Sequence, residues 1–468
     1  MSNIIKIKRG LKANLPTLEV GEMGYCTDTN ELFIGTSTGN ELINEADAIN
    51  ELADIGDVSV SNLQDGDILV YIDGEWVNQN QFPPAKEFGI QWDQPNDTVT
   101  RLGDGVGLTA GSDFTALGDD GVWNLRRCMV NDDLSINYYI DPTDPTKIGE
   151  VVNTGDYTTG GTANYTGSHG QVMVEIPKFY WKYEEPSSNV YQWWVSPKEA
   201  SGDYEVHPAF ITGSTTKDFI YMSAFEGTVD TNNLSTGKLR SISGVQPSTD
   251  TNVSGGTINN FRSYAQARGT GWQMQTYWGT HALQVLYSVE YANFDSQTTI
   301  GQGIVNKGGV GNQSENTGAT ISLGNTSGAA SGTDGLVSIS YRGVENFWGN
   351  IWKWVDGINR NGSEVFVANE NFASDVFSGS YTLLTNNILS GLQDFPTNIT
   401  FPHFFMSVGG GSSTSHLYDV NDFRNTGNRV ARFGGGWDFA LNSGVFIWRL
   451  SDSSSDNNRR YGSRLQIL

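Results

Sequence analysis

The sequence predicts a β-rich α+β protein in which small β modules precede one larger domain. Three observations carry that prediction. The chain holds 56 glycines in 468 residues with abundant Ser, Thr and Asn, and 12% of it is aromatic. Its apolar runs are short and alternating, as in "QVMVEIPKFYWKYE", where Val172, Val174 and Ile176 fall on one side of a strand. Many short strands joined by tight turns have this composition, and a helical bundle does not. At roughly 100 to 200 residues per domain, the length suggests about two to four domains.

The elements follow in order. Residues 1–45 read as a β module: Ile5 and Ile7 alternate, turns fall at Asn14 to Pro16 and at Gly21, and "MGYCTDTNELFIG" has the form of a hairpin. So short a segment buries too little apolar area to stand alone, so identical neighbours or a docking partner are expected to cover it. Residues 46–80 read as a second small β module. A short helix is expected in "EADAINELADIGDV", then turns at Asp65-Gly66 and Asp73-Gly74 around a strand from Ile68 to Ile72, with Trp76 capping a small core. Pro83-Pro84 suggests a boundary, and residues 81–124 read as a β-rich connector with a strand carrying Val99 to Leu102.

The larger domain is expected over 125–468. Its strongest helix is "TYWGTHALQVLYSVEYANFDSQ", where Ala282, Leu283, Val285, Leu286 and Val289 form a wide apolar stripe. A shorter helix is expected in "INNFRSYAQARGTGW", ending near Gly269. The stretch from Gly301 to Gly335, rich in Gly, Ser, Thr and Asn, reads as a long surface loop. Phe347, Trp348, Trp352 and Trp354 are assigned to the core in preference to a sugar platform.

Composition also excludes. With 28 Lys plus Arg against 52 Asp plus Glu, a net charge of −24 leaves no basic stripe for nucleic acid. Cys26 and Cys128 are the only cysteines and read as isolated thiols. His169, His207, His281, His403 and His416 have no ligand spacing, so no metal and no cofactor are expected; His207, before Pro208, reads as structural. Gly301 and Gly303 lack the strand, helix and lysine of a phosphate cradle. Neither a signal-peptide pattern nor an apolar run long enough to span a membrane is present, which implies synthesis in a cytoplasm without membrane insertion.

Two resemblances add to this reading. The run "IKIKRG...LPTLEVGEMGYCTDTNELFIG" resembles the N-terminal attachment module of bacteriophage tail-fibre proteins, and "DIGDV" with "DGDILVY" resembles a module of phage fibres. Together they imply virion association through the N-terminal region, with other virion proteins as partners, often as a homotrimer. In the larger domain "NFWGNIWKWVDGI", "RVARFGGGWDF" and "RYGSRLQIL" resemble the C-type-lectin-like fold of the formylglycine-generating-enzyme family. That family's enzymes use paired cysteines in the C-terminal half. This chain has none after Cys128, which points away from the chemistry and toward the binding branch of the fold, including phage tropism determinants.

The expected function is therefore a virion fibre that binds a host cell-surface receptor without altering it. In the stretch "RVARFGGGWDFALNSGVFIWRLSDSSSDNNRRYGSRL", Gly434 to Trp437 are expected to frame a face. Asp438, Phe439, Asn442, Phe446, Trp448, Ser451, Asp452, Asp456 and Asn457 are its expected contact residues, since aromatic and short polar side chains together suit recognition. Arg449, Arg459, Arg460 and Arg464 either contact acidic receptor groups or pair with the chain's own acids. The alternatives are a capsid head fibre built from the same modules, and a glycan depolymerase using paired carboxylates such as Glu184 with Glu185.

Overall fold

The computed structural model describes residues 7–43, 58–59, 68–72, 75–79, 85–200, 202–230, 237–253, 255–386, 388, 391–393, 399–400, 403–407 and 418–468. The helix expected from Glu45 onward and the side chain of Trp76 lie outside them. The chain divides into two compact units, Met1–Pro84 and Ala85–Leu468.

In the first unit, strands Lys8–Gly10, Met23–Cys26, Glu31–Thr36 and Gly39–Leu42 form one sheet in that order, the first pair parallel and the rest antiparallel. Asn30 closes the central hairpin in the left-handed region, φ 57°, a conformation Asn tolerates, and its Oδ1 accepts from Tyr25 Oη at 2.8 Å. Leu18 and Cys26 are buried, while Leu11 and Val20 lie open to solvent. A separate sheet joins Val58–Ser59, Glu75–Gln79 and Ile68–Ile72, the last two antiparallel.

The second unit corrects the expected connector over 81–124. Strands Phe88–Asp93 and Thr98–Gly103 belong to a five-stranded sheet with Val190–Ser196, Tyr180–Ser187 and Glu205–Val206. Phe88, Ile90 and Trp92 are fully buried, and the edge of Trp123 meets Phe88 at 5.2 Å between ring centres. This stretch is core because its alternate apolar side chains find partners about a hundred positions later in the chain.

A seven-stranded antiparallel sheet runs Ile148–Val151, Ile136–Ile140, Arg126–Val130, Gln171–Pro177, Phe219–Ser223, Leu465–Ile467 and Trp272–Met274. The chain's last strand thus lies inside this sheet and is paired on both sides. A third sheet is built on the long strand Trp352–Asn361, with Glu364–Val367 on one side and Asn428–Phe433, Trp448–Asp452 and Asn421–Asp422 in succession on the other. Phe347, Trp348, Trp352 and Trp354 are buried around it.

Among the described residues of this unit are four short or medium helices, α1 (Ser112–Ala116), α2 (Ile258–Gln266), α3 (Tyr277–Tyr291) and α4 (Ser296–Thr299). A Thr257–Asn260 capping box starts α2, and Thr276 caps α3 by accepting from Gly279 N at 3.2 Å. Nearly all of α3 is buried, Gln284 and Glu290 included, so it is a core helix and not a surface one. The stretch 301–335 differs from expectation too. Ser314, Thr317 and Thr320 are buried, and the Glu345 carboxylate accepts from the backbone N–H groups of Gly318 and Thr320, each at 2.7 Å. Short polar residues here meet hydrogen-bonding needs that strands would otherwise meet.

Several buried charges are paired with carboxylates. Lys353 Nζ lies 2.9 Å from Glu226 Oε1 with both side chains fully enclosed, and burial lowers the Lys353 pKa to about 8. Arg342 grips the Glu290 carboxylate with two bonds of 2.8 and 2.6 Å, and Arg262 grips Asp356 at 2.7 and 2.6 Å.

Candidate binding face at the carboxyl end

Gly434 and Gly435 have φ of 92° and 77°, which side chains rarely adopt. A Cβ on Gly435 would come within 2.2 Å of Ser443 Oγ, so the glycine permits a close approach that no other residue can. Trp437 beneath is fully buried; its N–H donates to Asn350 O at 3.0 Å and its carbonyl accepts from Lys307 N at 2.6 Å. The frame expected at Gly434 to Trp437 is a packed support.

The side chains beyond it divide. Phe446, Trp448, Ser451 and Asp452 are buried, which corrects their assignment to an exposed face. Phe446 meets the edge of Phe294 at 5.2 Å, and Trp448 packs on Phe433 at 5.1 Å. Asp452 accepts from Arg432 Nε at 2.9 Å, and the Arg432 guanidinium lies 3.5 Å from the centre of the Tyr461 ring. The cause is position: Trp448–Asp452 is an interior strand, paired on both sides. The unbroken apolar run from Val445 to Trp448 was the signal, since strands covered on both faces read as continuous apolar stretches.

Asp438, Asp456 and Asn457 are exposed, and Phe439 and Asn442 half-buried. Asp438 accepts from Arg460 Nε at 2.8 Å, and Phe439 leans on the Trp352 ring at 5.1 Å. Neighbouring loops join them: Ala440 N donates to Val305 O at 2.9 Å, and Arg459 Nη2 to Gly309 O at 3.3 Å. Sequence reasoning missed Leu441 and Val310, which are 55% and 87% exposed. Of the arginines, Arg464 is wholly buried and donates to backbone carbonyls of Ser223 and Asn346 at 2.8 and 3.0 Å, while Arg449 lies 3.3 Å from both Asp422 and Asp452. Neither is free to meet a receptor.

Beside the face lies a cleft of about 80 Å³, lined by Asp295, Gln297, Thr298, Gln302, Tyr418, Asp419 and Leu441. Asp419 is 1% exposed; its Oδ2 accepts from Phe446 N at 2.7 Å, and burial pushes its pKa well above the usual carboxylate range. The carboxylate fits because residue 444 is glycine: a Cβ there would lie 2.0 Å from Asp419 Oδ1. Gln297 Nε2 donates to Ala440 O at 3.0 Å and also to Ser443 O, which ties the cleft to the face. No motif marks Asp419 in a chain with 52 acidic residues.

Among the described residues no cluster of three or more His, Cys, Asp or Glu could hold a metal ion, and no helix is long and apolar enough to cross a membrane. The second unit is thus a β-rich scaffold that carries a loop face and an acidic cleft. At the other end of the chain, residues 5–37 match the family described as the major tropism determinant N-terminal domain, and this module is tropism-determinant-like. Two solved structures match the chain over nearly its whole length. The "Major Tropism Determinant P3c Variant" is 12% identical, spans 99% of each chain and gives a TM-score of 0.26. The "Major Tropism Determinant M1 Variant" is 12% identical, spans 98% of each and gives 0.27. No residue role is taken from either. No curated protein matches the chain.

Proposed function

We propose that the chain is a bacteriophage virion fibre protein that binds a host cell-surface receptor non-covalently, through the loop face of a C-type-lectin-like unit. The observation that carries this reading is the tropism-determinant N-terminal domain at residues 5–37, whose name describes a protein that sets host range. Geometry supports it: Asp438, Phe439, Asn442, Asp456 and Asn457, joined by Val310, stand on loops fixed from beneath by the Gly434–Trp437 support. Fixed loops lose little freedom on binding. Cys128 is buried with its thiol pKa raised by burial, which supports binding over thiol chemistry. The homotrimer belongs to the same reading, because the N-terminal sheet leaves Leu11 and Val20 more than half exposed and needs a neighbour to cover them.

Adsorption of the purified protein to host cells tests the face. Phe439→Ala, Asn457→Ala and Val310→Asp combined are expected to weaken adsorption at least about tenfold, since a few central residues dominate such interfaces. Undiminished adsorption by the triple variant sinks the reading.

A further inference from the structure

We propose that the cleft between α4 and the segment Tyr418–Asp419 binds the ammonium group of a basic ligand, with Asp419, Asp295 and Gln297 as acceptors and Leu441 beside its methylene stem. The argument begins with a duplication. Asp419 Oδ2 holds the backbone N–H of Phe446, and two residues on, Asn421 Oδ1 holds that of Trp448 at 2.9 Å. A neutral amide thus accepts the same kind of backbone bond, even with its own Nδ2 left unpartnered. The charge on Asp419 therefore exceeds what the fold requires, and its burial makes that charge costly.

The remaining atoms indicate what offsets the cost. Asp419 Oδ1 accepts no hydrogen bond from the described residues, and Gln297 Oε1, on a residue only 9% exposed, has no partner either. Asp295 adds a second carboxylate, one oxygen of which caps α4 by accepting from Thr298 N at 3.0 Å. Acceptors that lack donors call for a ligand that only donates. An ammonium carries three donors and no acceptor, and it is more compact than a planar guanidinium. A space of about 80 Å³ suits an ammonium with a short stem. The chain's charge of −24 draws such a ligand in.

Proton linkage supplies a signature. Among the described residues, the titratable groups around Asp419 are Asp295 before α4, Tyr287 on α3 and the adjacent Tyr418, itself influenced by Asp97, and none of these is cationic. Binding an ammonium thus favours the ionised Asp419, displaces whatever proton the raised pKa retains there, and tightens as pH rises through that titration. The inference stands on the cleft alone, and Leu441 is left unaltered in the adsorption test, so either can fail without the other.

The experiment is calorimetric titration of the full-length protein with propylammonium chloride at pH 6 and pH 8, alongside Asp419→Asn and Leu441→Trp. The expected result is saturable binding, tighter at pH 8, and at least about tenfold weaker in both variants. Asp419→Asn is expected to melt no lower than the parent, because it keeps the bond to Phe446 and replaces a carboxyl group whose ionisation burial disfavours. Absence of saturable binding, unchanged affinity in Asp419→Asn, or a clear fall in its melting temperature overturns the proposal. A lysine-containing peptide and glucosamine are titrated in parallel; the tighter of the two identifies a protein or a glycan as the ammonium's source.

Discussion

The two ends of this chain solve the problem of stability in opposite ways. Among residues 7–43 the buried side chains are those of Leu18 and Cys26, and the ion pairs Lys8–Glu22 and Lys12–Glu31 lie in solvent. In the second unit the ion pairs Lys353–Glu226 and Arg342–Glu290 are sealed inside, and the final strand is enclosed in a sheet. One region leaves its charges and the apolar side chains of Leu11 and Val20 in solvent, while the other encloses charge and apolar surface together.

The widest separation between the regions should come from Lys353→Met. It strands the Glu226 carboxylate in a dry interior, and breaking a buried pair in this way costs about 3 to 5 kcal/mol. Of the 13 tryptophans all but Trp76 lie beyond Ala85, so urea unfolding followed by tryptophan fluorescence reports on the second unit. A loss below about 1 kcal/mol would mean that the two regions differ less than their burial implies.

Acid should separate them next. His207 is buried beside His281, with Nε2 3.0 Å from its Nδ1, and burial lowers its pKa from 6.5 to about 3. The fold requires the neutral ring, so its contribution is complete above pH 6.5 and declines as pH falls from there toward 3. By pH 4.5 the loss from this residue reaches about 2 to 3 kcal/mol. Residues 1–84 contain no histidine, and hydrogen bonds from Lys8 and Lys12 hold the Glu22 and Glu31 pKa values below 4.5. The contribution of those carboxylates is present above pH 4.5 and lost below it. Urea midpoints at pH 7 and 4.5 should fall for the second unit, with a shallower fall in His207→Gln; equal slopes would remove His207 from the account.

Gly435→Ala comes third. It combines an unfavourable φ of 77° with a Cβ placed 2.2 Å from Ser443 Oγ, and about 1 to 3 kcal/mol is expected from the same fluorescence assay. The site adds a second readout, because displacement of Ser443 disturbs the loops that carry Phe439 and Asn442.

How far these features were legible in the sequence follows from how local their causes are. Helix α3 and the tryptophans of "NFWGNIWKW" announce themselves through spacing and density, and they lie where the spacing places them. Phe88, Ile90 and Trp92 read as connector because the strand that covers them, Val190–Ser196, is remote in sequence. Four of the nine expected contact residues were misplaced for a related reason. Phe446 and Trp448 carry recognition-type side chains, but only their packing on Phe294 and Phe433 reveals that they face inward. Asp419 has no sequence mark at all, since its distinction is burial among many exposed acids.

The smallest effect is as informative as the largest. Lys12 Nζ lies 2.7 Å from Glu31 Oε1, a shorter separation than Lys353 Nζ to Glu226, yet the Lys12 side chain is 49% exposed. Distance alone would rank the N-terminal pair as the stronger. Solvent screening and the freedom of a long exposed side chain reverse that order, so Lys12→Gln is expected to leave the urea midpoint and melting temperature of the N-terminal sheet unchanged within error. Circular dichroism of the full-length variant checks it, at low and at physiological salt. A measurable loss that persists at physiological salt would show that a neighbouring copy covers this pair in solution, and the thin sheet would then take part of its stability from charge as well as from apolar contact.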